Sequence, residues 1–466
     1  MGSFTNFPAA LAAILQQGFL ERELEEGLDS VLAYRRAAAE ETVPARIGET
    51  LTRTRKSRKT PVTEPLNPAN NTGLDNGLSP STFSVEQYSF TMQEYADTVD
   101  TNMIQELAGI ADQLIGNSRN NGVQAAQSME RIARMKLFFA YLGGNSRVRT
   151  DLGAGSTTTC HVDDISGFTT VLVNGVPTGI SSGNPITVVE TAITSAGVNQ
   201  TLTVTAATAD VTNHSSRPDG TSGTLTFSAA TTPVNGDALI ALNAPKILRP
   251  FGKLTTAQLS GSDVLTMGLV EDAVAYLRDN GVPPMEDGTY HCILDNTSMR
   301  QLWADQDFKV LFAGRNDSGE FRDGDVIRLL GVTYIPTTEA YVQPALQQYN
   351  GTTYGQASTA TSPSANVVRT RRPIIMGAES IIQGNFEGLE SWLQREGLNP
   401  IADVFLVNNV AQILRPPLDR LSQVTSLSWT WIGDYAVPTD ITSTTSIIPT
   451  ASNALFKRSL VIETAG

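Results

Sequence analysis

The chain has 466 residues, 40% of them hydrophobic and 17% charged, and a net charge of −14. That length leaves room for roughly three domains, and the charged fraction falls short of the about 25% of an average domain, with Thr, Ser, Asn, Ala and Gly in its place. The acidic balance excludes a dedicated nucleic-acid grip, two cysteines exclude a disulfide framework and point to folding under reducing conditions, and no run is long and apolar enough to span a bilayer.

Residues 9–41 read as helix, broken near Gly18 and Gly27, with a thin apolar stripe of Leu11, Ile14 and Leu15 continued by Leu24, Leu28, Val31 and Leu32. The apolar stretch 9–20 lacks a preceding positive segment and runs into Glu21, Glu23, Glu25 and Glu26, so it is not read as a signal peptide. Residues 46–95 form a long polar arm with Pro61, Pro65, Pro68, Asn76-Gly77 and Pro80. Its apolar content is too low for burial to offset ordering entropy. The arm is therefore either a disordered linker or a segment ordered by lying on other chains. Arg53, Arg55, Lys56, Arg58 and Lys59 reverse the sign of the chain locally, as a solvated or subunit-facing run.

Helical period returns over 99–142, where Met103, Leu107, Ile110 and Leu114 share a face. Gly116 to Gly122 interrupts it, so two helices meet there or one helix bends. Gly143-Gly144 stops it. Short alternating runs over 155–245, such as 169–173, 201–205 and 224–227, predict a small all-β barrel or sandwich inserted between helical and mixed segments. From 250 the chain reads as mixed α/β. A helix is expected over 262–280, a buried strand over 290–294, a helix capped by Asp295, and a strand over 325–336 bent at Gly331. Residues 341–366 read as a loop, and strands are expected at 372–382, 404–414 and 424–432.

No chemistry announces itself. Cys160-His161 and His291-Cys292 lack zinc-site spacing, the acidic stretch from Asn316 to Asp325 does not follow the calcium-loop rule, and Asp163-Asp164 has no context beyond a turn. The expectation is no catalytic residue, no metal and no cofactor.

Arg46-Ile47-Gly48-Glu49-Thr50, then Gly73-Leu74-Asp75-Asn76-Gly77-Leu78-Ser79-Pro80, Glu86-Gln87-Tyr88 and Tyr95-Ala96-Asp97-Thr98-Val99-Asp100 can be read together with Asn120 to Ala125 and Leu142 to Val148. In these segments the chain resembles the major capsid proteins of tailed bacteriophages, in particular the coat proteins of N-four-type short-tailed phages. Leu277 to Pro284, Tyr290 to Leu294, Gly331 to Thr337 and Gly377-Ala378 extend the resemblance, which covers roughly 40–150 and 250–435. It implies an α+β chain with the Hong Kong-type tailed-phage coat fold. The parts would be an N-terminal arm (1–45), an extended loop (46–95), a peripheral domain with a long spine helix (96–154), an inserted small all-β domain (155–248), an axial domain (249–400) and a return to the peripheral domain with a C-terminal strand (401–466).

The function implied is a shell subunit, assembled in the host bacterial cytoplasm into pentamers and hexamers of the virion's icosahedral head. The shell would enclose double-stranded DNA without sequence-specific binding and without membrane contact. Its partners would be neighbouring capsomers, scaffold and portal proteins, and decoration proteins. Inter-subunit contacts would fall on Arg53, Arg55, Lys56, Arg58, Lys59, Leu74, Leu78 and Phe83. Two other readings stand beside it: an encapsulin-like compartment with the same fold, and a glycan-binding adhesin or enzyme working through 155–248.

Overall fold

The computed structural model of the chain describes residues 17–29, 33–44, 50–56, 59, 61–63, 85–102, 113–148, 157–173, 176–191, 200–209, 222–232, 237–241, 244–253, 255–313, 327–343, 369–386, 403–417, 420–421, 423–438 and 457–466. The apolar positions read at 11–15 and 103–110, the acidic stretch 316–325 and most of the loop 341–366 lie outside the described residues. The fold is α+β, with a few helices laid against three six-stranded sheets.

The first sheet is built on the strand Val424–Ala436. Residues 424–433 pair with Gln93–Asn102, and residues 433–436 pair with 382–385. Residues 411–415 run antiparallel to it, and Ala39–Val43 joins in parallel to Ile382–Phe386. The helix Gln113–Leu142 packs on this sheet, its Ala125, Ala126, Met129, Ala133 and Leu137 meeting Leu427, Trp429, Trp431 and Tyr435 in one buried cluster. Each fully buried Leu- or Phe-sized side chain contributes about 1.5–3 kcal/mol. The three alanines keep this helix close to the sheet.

Several expectations are corrected here. Residues 99–102 are strand, because their alternation pairs them with 424–427. The helix runs unbroken through Gly116 to Gly122, where Ser118 and Asn121 turn inward and find partners while Arg119 and Asn120 stay exposed. Ser118 Oγ meets Gln412 Oε1 at 3.2 Å, and Asn121 Nδ2 donates to the Leu427 carbonyl at 3.2 Å. The helix ends at Leu142 with Gly144 at φ +81°, as the paired glycines predict. The N-terminal helix Gln17–Asp29 passes through Gly27, whereas the break expected near Gly18 falls at the limit of the described residues; the chain then forms a short helix, Tyr34–Ala37, and a strand. Gly27 does not break the helix because it is the point of closest approach to the long helix: a Cβ there would lie 2.6 Å from the Arg119 carbonyl.

The block after the long helix is a second six-stranded sheet, in the order Asn145–Arg147, Ala238–Ala241, Ile186–Thr191, Gln200–Ala209, Gly223–Thr231, Thr157–Val162, with a hairpin of Thr170–Val173 and Val176–Gly179. Its own core holds Val162, Phe168, Val188, Val204, Leu225, Phe227 and Leu239. The strand 145–147 belongs to this sheet.

The third sheet runs Ile247–Leu248, Ser459–Ile462, Ile374–Met376, Tyr290–Leu294, Val332–Pro336, Ile327–Leu329 and carries the helices Met267–Asp279, Asn296–Ala304 and Gln306–Ala313. The strand at 290–294 and the Asp295 cap match the expectation: the Asp295 carboxylate accepts from the N–H groups of Thr297 and Ser298. The helix expected from 262 starts at Met267, because Asp263 is held in a turn by Ser260 and Lys253. The single bent strand 325–336 is a hairpin, turned by Leu330 (φ 52°) and Gly331 (φ 77°). Likewise 404–414 is a hairpin through Asn408 and Asn409, both at positive φ as a two-residue hairpin turn requires. The strand read over 372–382 divides: 374–376 stay in the third sheet, while 382–386 cross to the first. The strand 459–462 also lies in the third sheet, and Thr464–Ala465 pairs with Thr370–Arg371 in a small three-stranded sheet, so the chain after 401 serves three sheets.

Candidate assembly surfaces

The arm is rooted and structured where it leaves the body. Thr50–Lys56 pairs antiparallel with Val85–Thr91, from Thr50 opposite Thr91 to Lys56 opposite Val85. Seven residues a side give a ribbon about 24 Å long. Thus the expectation that this segment has no core of its own is corrected at the root. Phe90 is fully buried and Tyr88 nearly so, in a small cluster with Ile382 and Ala436. The two rings meet edge to face at 5.6 Å. A Cβ on Gly384 would come within 2.8 Å of the Phe90 ring, so the glycine makes its seat. The Thr91 N–H donates to Asp434 Oδ2 at 3.0 Å, and Tyr88 Oη donates to Glu41 at 3.1 Å. Beyond the root, Thr52, Thr54, Lys56 and Ser89 are exposed, and neither strand pairs with a further strand among the described residues.

The contact residues expected from sequence divide accordingly. Arg53 lies on the ribbon but is ion-paired with Glu41 of the same chain, so it braces the root. Lys56 and Lys59 are exposed. Arg55 is placed on the ribbon by its backbone, opposite Glu86. The Arg55 side chain, Arg58, Leu74, Leu78 and Phe83 lie outside the described residues.

Two buried polar arrangements hold the body that the arm leaves. Glu130, on the long helix, accepts the backbone N–H groups of Ala33 at 3.1 Å, Tyr34 at 2.9 Å and Arg35 at 2.9 Å. One carboxylate thus satisfies the free donors at the start of the helix Tyr34–Ala37. Burial pushes its pKa up to about 7, against the lowering effect of those hydrogen bonds. Nearby, Phe138 stacks on Tyr341 at 4.6 Å, and Arg131 pairs with Glu339 at 2.9 Å, tying the long helix to the chain leaving the third sheet.

The second arrangement is a buried chain of charges joining the inserted sheet to the third. Asp163 receives Arg147 Nε at 2.8 Å, the Arg147 N–H at 2.8 Å and Ser146 Oγ at 3.0 Å. Gln343 also donates to Asp163 and accepts from Arg372 Nη2 at 2.6 Å. Arg372 pairs with Glu463 at 2.9 Å, and Glu463 takes Arg249 at 2.7 Å and Thr256 Oγ1 at 2.7 Å. Burial alone would raise the Glu463 carboxyl, but Arg249 and Arg372 hold it down at about 2. Asp164, next to Asp163, is raised to about 6 by burial. Asp163-Asp164 is therefore a structural joint. Cys160 and Cys292 sit buried in separate cores, where burial lifts both thiols, Cys292 to about 12.

Sequence reading missed Glu130, Arg372 and Glu463, whose partners lie 29 to 214 residues away. No local signal carries such pairs. Within the arm, Tyr88 and Phe90 are buried on either side of the exposed Ser89, an alternation that marks a buried strand face.

The described residues thus form a two-stranded arm rooted on an α+β body braced by internal ion pairs. No family model and no curated protein matches the chain. Among solved structures it is similar to the capsid of Ralstonia phage GP4 at 10% identity, covering 92% of this chain and 87% of that one with a TM-score of 0.46. It is similar to the capsid of the cyanophage P-SCSP1u at 10% identity, with 94% and 89% covered and a TM-score of 0.43. The cyanophage Pam1 capsid aligns at 11% identity, with 91% and 87% covered and a TM-score of 0.41.

Proposed function

We propose that the chain is the major shell subunit of a tailed-phage-type capsid, assembling into rings of five and six that close into a head around double-stranded DNA. The carrying observation is the arm ribbon: two strands anchored at one end by Phe90 and exposed beyond it, with edges that no described strand of the same chain pairs. An isolated two-stranded ribbon is marginal in water, and open edges invite strand addition. Laying the arm over an adjacent subunit meets both requirements. Lys56 and Lys59, with Arg55 and Arg58, would face acidic patches of that neighbour in a chain of net charge −14. The same acidic balance limits phosphate neutralisation and leaves packed DNA unpinned. Head-to-tail contacts close into rings. Scaffold, portal and decoration proteins are the partners this reading requires, and the virion shell is its location.

The test is light scattering on size-exclusion peaks of the full chain and of a variant lacking 57–84. The reading expects large closed particles from the former and folded protomers from the latter. Full-size particles from the deletion would remove the arm from the account.

A further inference from the structure

The inserted sheet closes on itself into a barrel. Asn145–Arg147 pairs with 238–240 on one side, and on the other Val148 bridges Val162 while the Asp163 N–H donates to the Arg147 carbonyl at 3.1 Å. Val188, Val204, Leu225 and Leu239 fill the interior, which is apolar except at one corner. Glu190, near the end of Ile186–Thr191, stands opposite Gln200 on one neighbouring strand and the core residue Leu239 on the other, so its carboxyl points into the barrel. Only 2% of Glu190 is exposed, and Asp237, 3% exposed, is hydrogen-bonded to it side chain to side chain. Gln200 Nε2 donates to Glu190 Oε2 at 2.6 Å and to Thr231 Oγ1 at 2.8 Å. The Asp237 carbonyl takes the Val148 N–H at 2.8 Å, which ties this corner to the closing seam.

Two carboxyls at hydrogen-bond distance and shut away from water cannot both be ionised, so this pair holds one proton between them. We propose that the shared proton latches the inserted barrel, and that its loss loosens the seam where 237–241 meets 145–148 and 186–191. Such a latch works whether or not the chain builds a shell. From the adjoining strands the pair meets Gln200, Thr231 and the Cys160 thiol, whose ionisation Glu190 opposes. Arg147, opposite Ala238, gives its Nε to Asp163 at 2.8 Å, and His161 meets Thr224 Oγ1 at 3.1 Å. Burial, with the Asp237 carboxyl adding to it, raises the Glu190 pKa from 4.5 to about 7, against the hydrogen bonds from Gln200 and Thr231. Between those values the closed barrel binds a proton that opened strands release. Closure is therefore firmest below pH 4.5 and weakens as pH rises through 7. Strand ends open at lower cost than strand centres, and both carboxyls sit at ends.

Cys160 reports on this seam in the full chain, because it is buried inside the barrel whereas Cys292 is buried in the core of the third sheet. Only thiolates alkylate, so the ratio of iodoacetamide labelling at Cys160 to that at Cys292 cancels the common effect of pH. In the parent this ratio should climb about tenfold between pH 6 and pH 8, the loss of closure expected when a group titrating near 7 gives up its proton. Glu190→Gln keeps the hydrogen bonds without a titrating proton, and its ratio should stay level. In Asp237→Asn, whose amide can donate to an ionised Glu190, the climb should move to lower pH. A level ratio in the parent, an unchanged climb in Glu190→Gln, or an unshifted one in Asp237→Asn would overturn the latch. If Glu190→Gln already labels fast at pH 6, its barrel has been lost and the parent decides. Hydrogen exchange of the parent, corrected for intrinsic rates, should then quicken over 237–241 and not over 290–294 from pH 6 to pH 8. Equal protection of 237–241 at both pH values would overturn the proposal.

Discussion

Gly27 and Gly122 meet where the N-terminal helix crosses the long helix: a Cβ on Gly122 would lie 3.1 Å from Gly27 Cα and 2.6 Å from the Leu24 carbonyl. The N-terminal segment is therefore seated by backbone contact, with Leu24 and Leu28 packed on either side into the main core. Gly122→Ala must push the helices apart. The expected cost is about 1–3 kcal/mol in chemical denaturation, outweighing the helix propensity gained, with earlier proteolytic cleavage of the N-terminal segment. A gain in stability would contradict the contact.

Glu130 makes the same segment pH-dependent. Its folded pKa of about 7 exceeds the ordinary value of 4.5, so between those values the native state binds more protons than the unfolded state. Its contribution is greatest below about pH 4.5 and is lost as pH rises through 7, over a span of about 3 kcal/mol. Thermal unfolding midpoints of Glu130→Gln should fall less than those of the parent between pH 5 and 8. Glu463 acts with the opposite sign, its stabilisation present above pH 4.5 and lost as pH falls toward 2. Parallel pH curves for Glu130→Gln and the parent would contradict the assignment.

Asp163→Ala should leave Arg147 and Gln343 without their shared acceptor at the joint between the inserted and third sheets. Breaking a buried ion pair on one side costs about 3–5 kcal/mol. Denaturation should show that loss, whereas an exposed pair such as Arg22 with Glu26, 3.2 Å apart, should lose under about 1 kcal/mol on the equivalent change.

Phe90→Ala should release the arm at its root. Truncating a fully buried Phe costs about 3–5 kcal/mol, and cleavage within 50–91 should accelerate in limited proteolysis while the third sheet keeps its protection.

Much of this fold was legible where the cause is local. Tyr290–Leu294, the Asp295 cap, the stop at Gly143-Gly144 and the alternating strands of the inserted sheet all rest on neighbours in sequence. The errors fall where a distant partner decides. Polar Ser118 and Asn121 look like a helix break until Gln412 and Leu427 arrive from across the chain. Positive φ at Leu330, and at Asn408 with Asn409, converts two apparent strand interiors into hairpin turns, and only the asparagines carry a sequence cue. Of the arm, the basic run was visible, but its division into Arg53 at the root and Lys56 and Lys59 further out depends on Glu41, outside the run.

Charge reversal of Arg55, Lys56 and Arg58 together should suppress assembly most strongly at low ionic strength. The reversed charges then repel an acidic neighbour, and salt relieves part of the defect because exposed charges are screened beyond about 10 Å at 0.1 M. Turbidity or light scattering across a salt series reads this, and assembly indistinguishable from the parent at every ionic strength would leave the run a solvated face.

Electron microscopy of the full chain, purified and concentrated, tests the central claim most directly. The account predicts closed particles of uniform diameter with icosahedral symmetry, in which the ribbon of Thr50–Lys56 and Val85–Thr91 lies on an adjacent subunit. A monodisperse monomer at every concentration and ionic strength would contradict it.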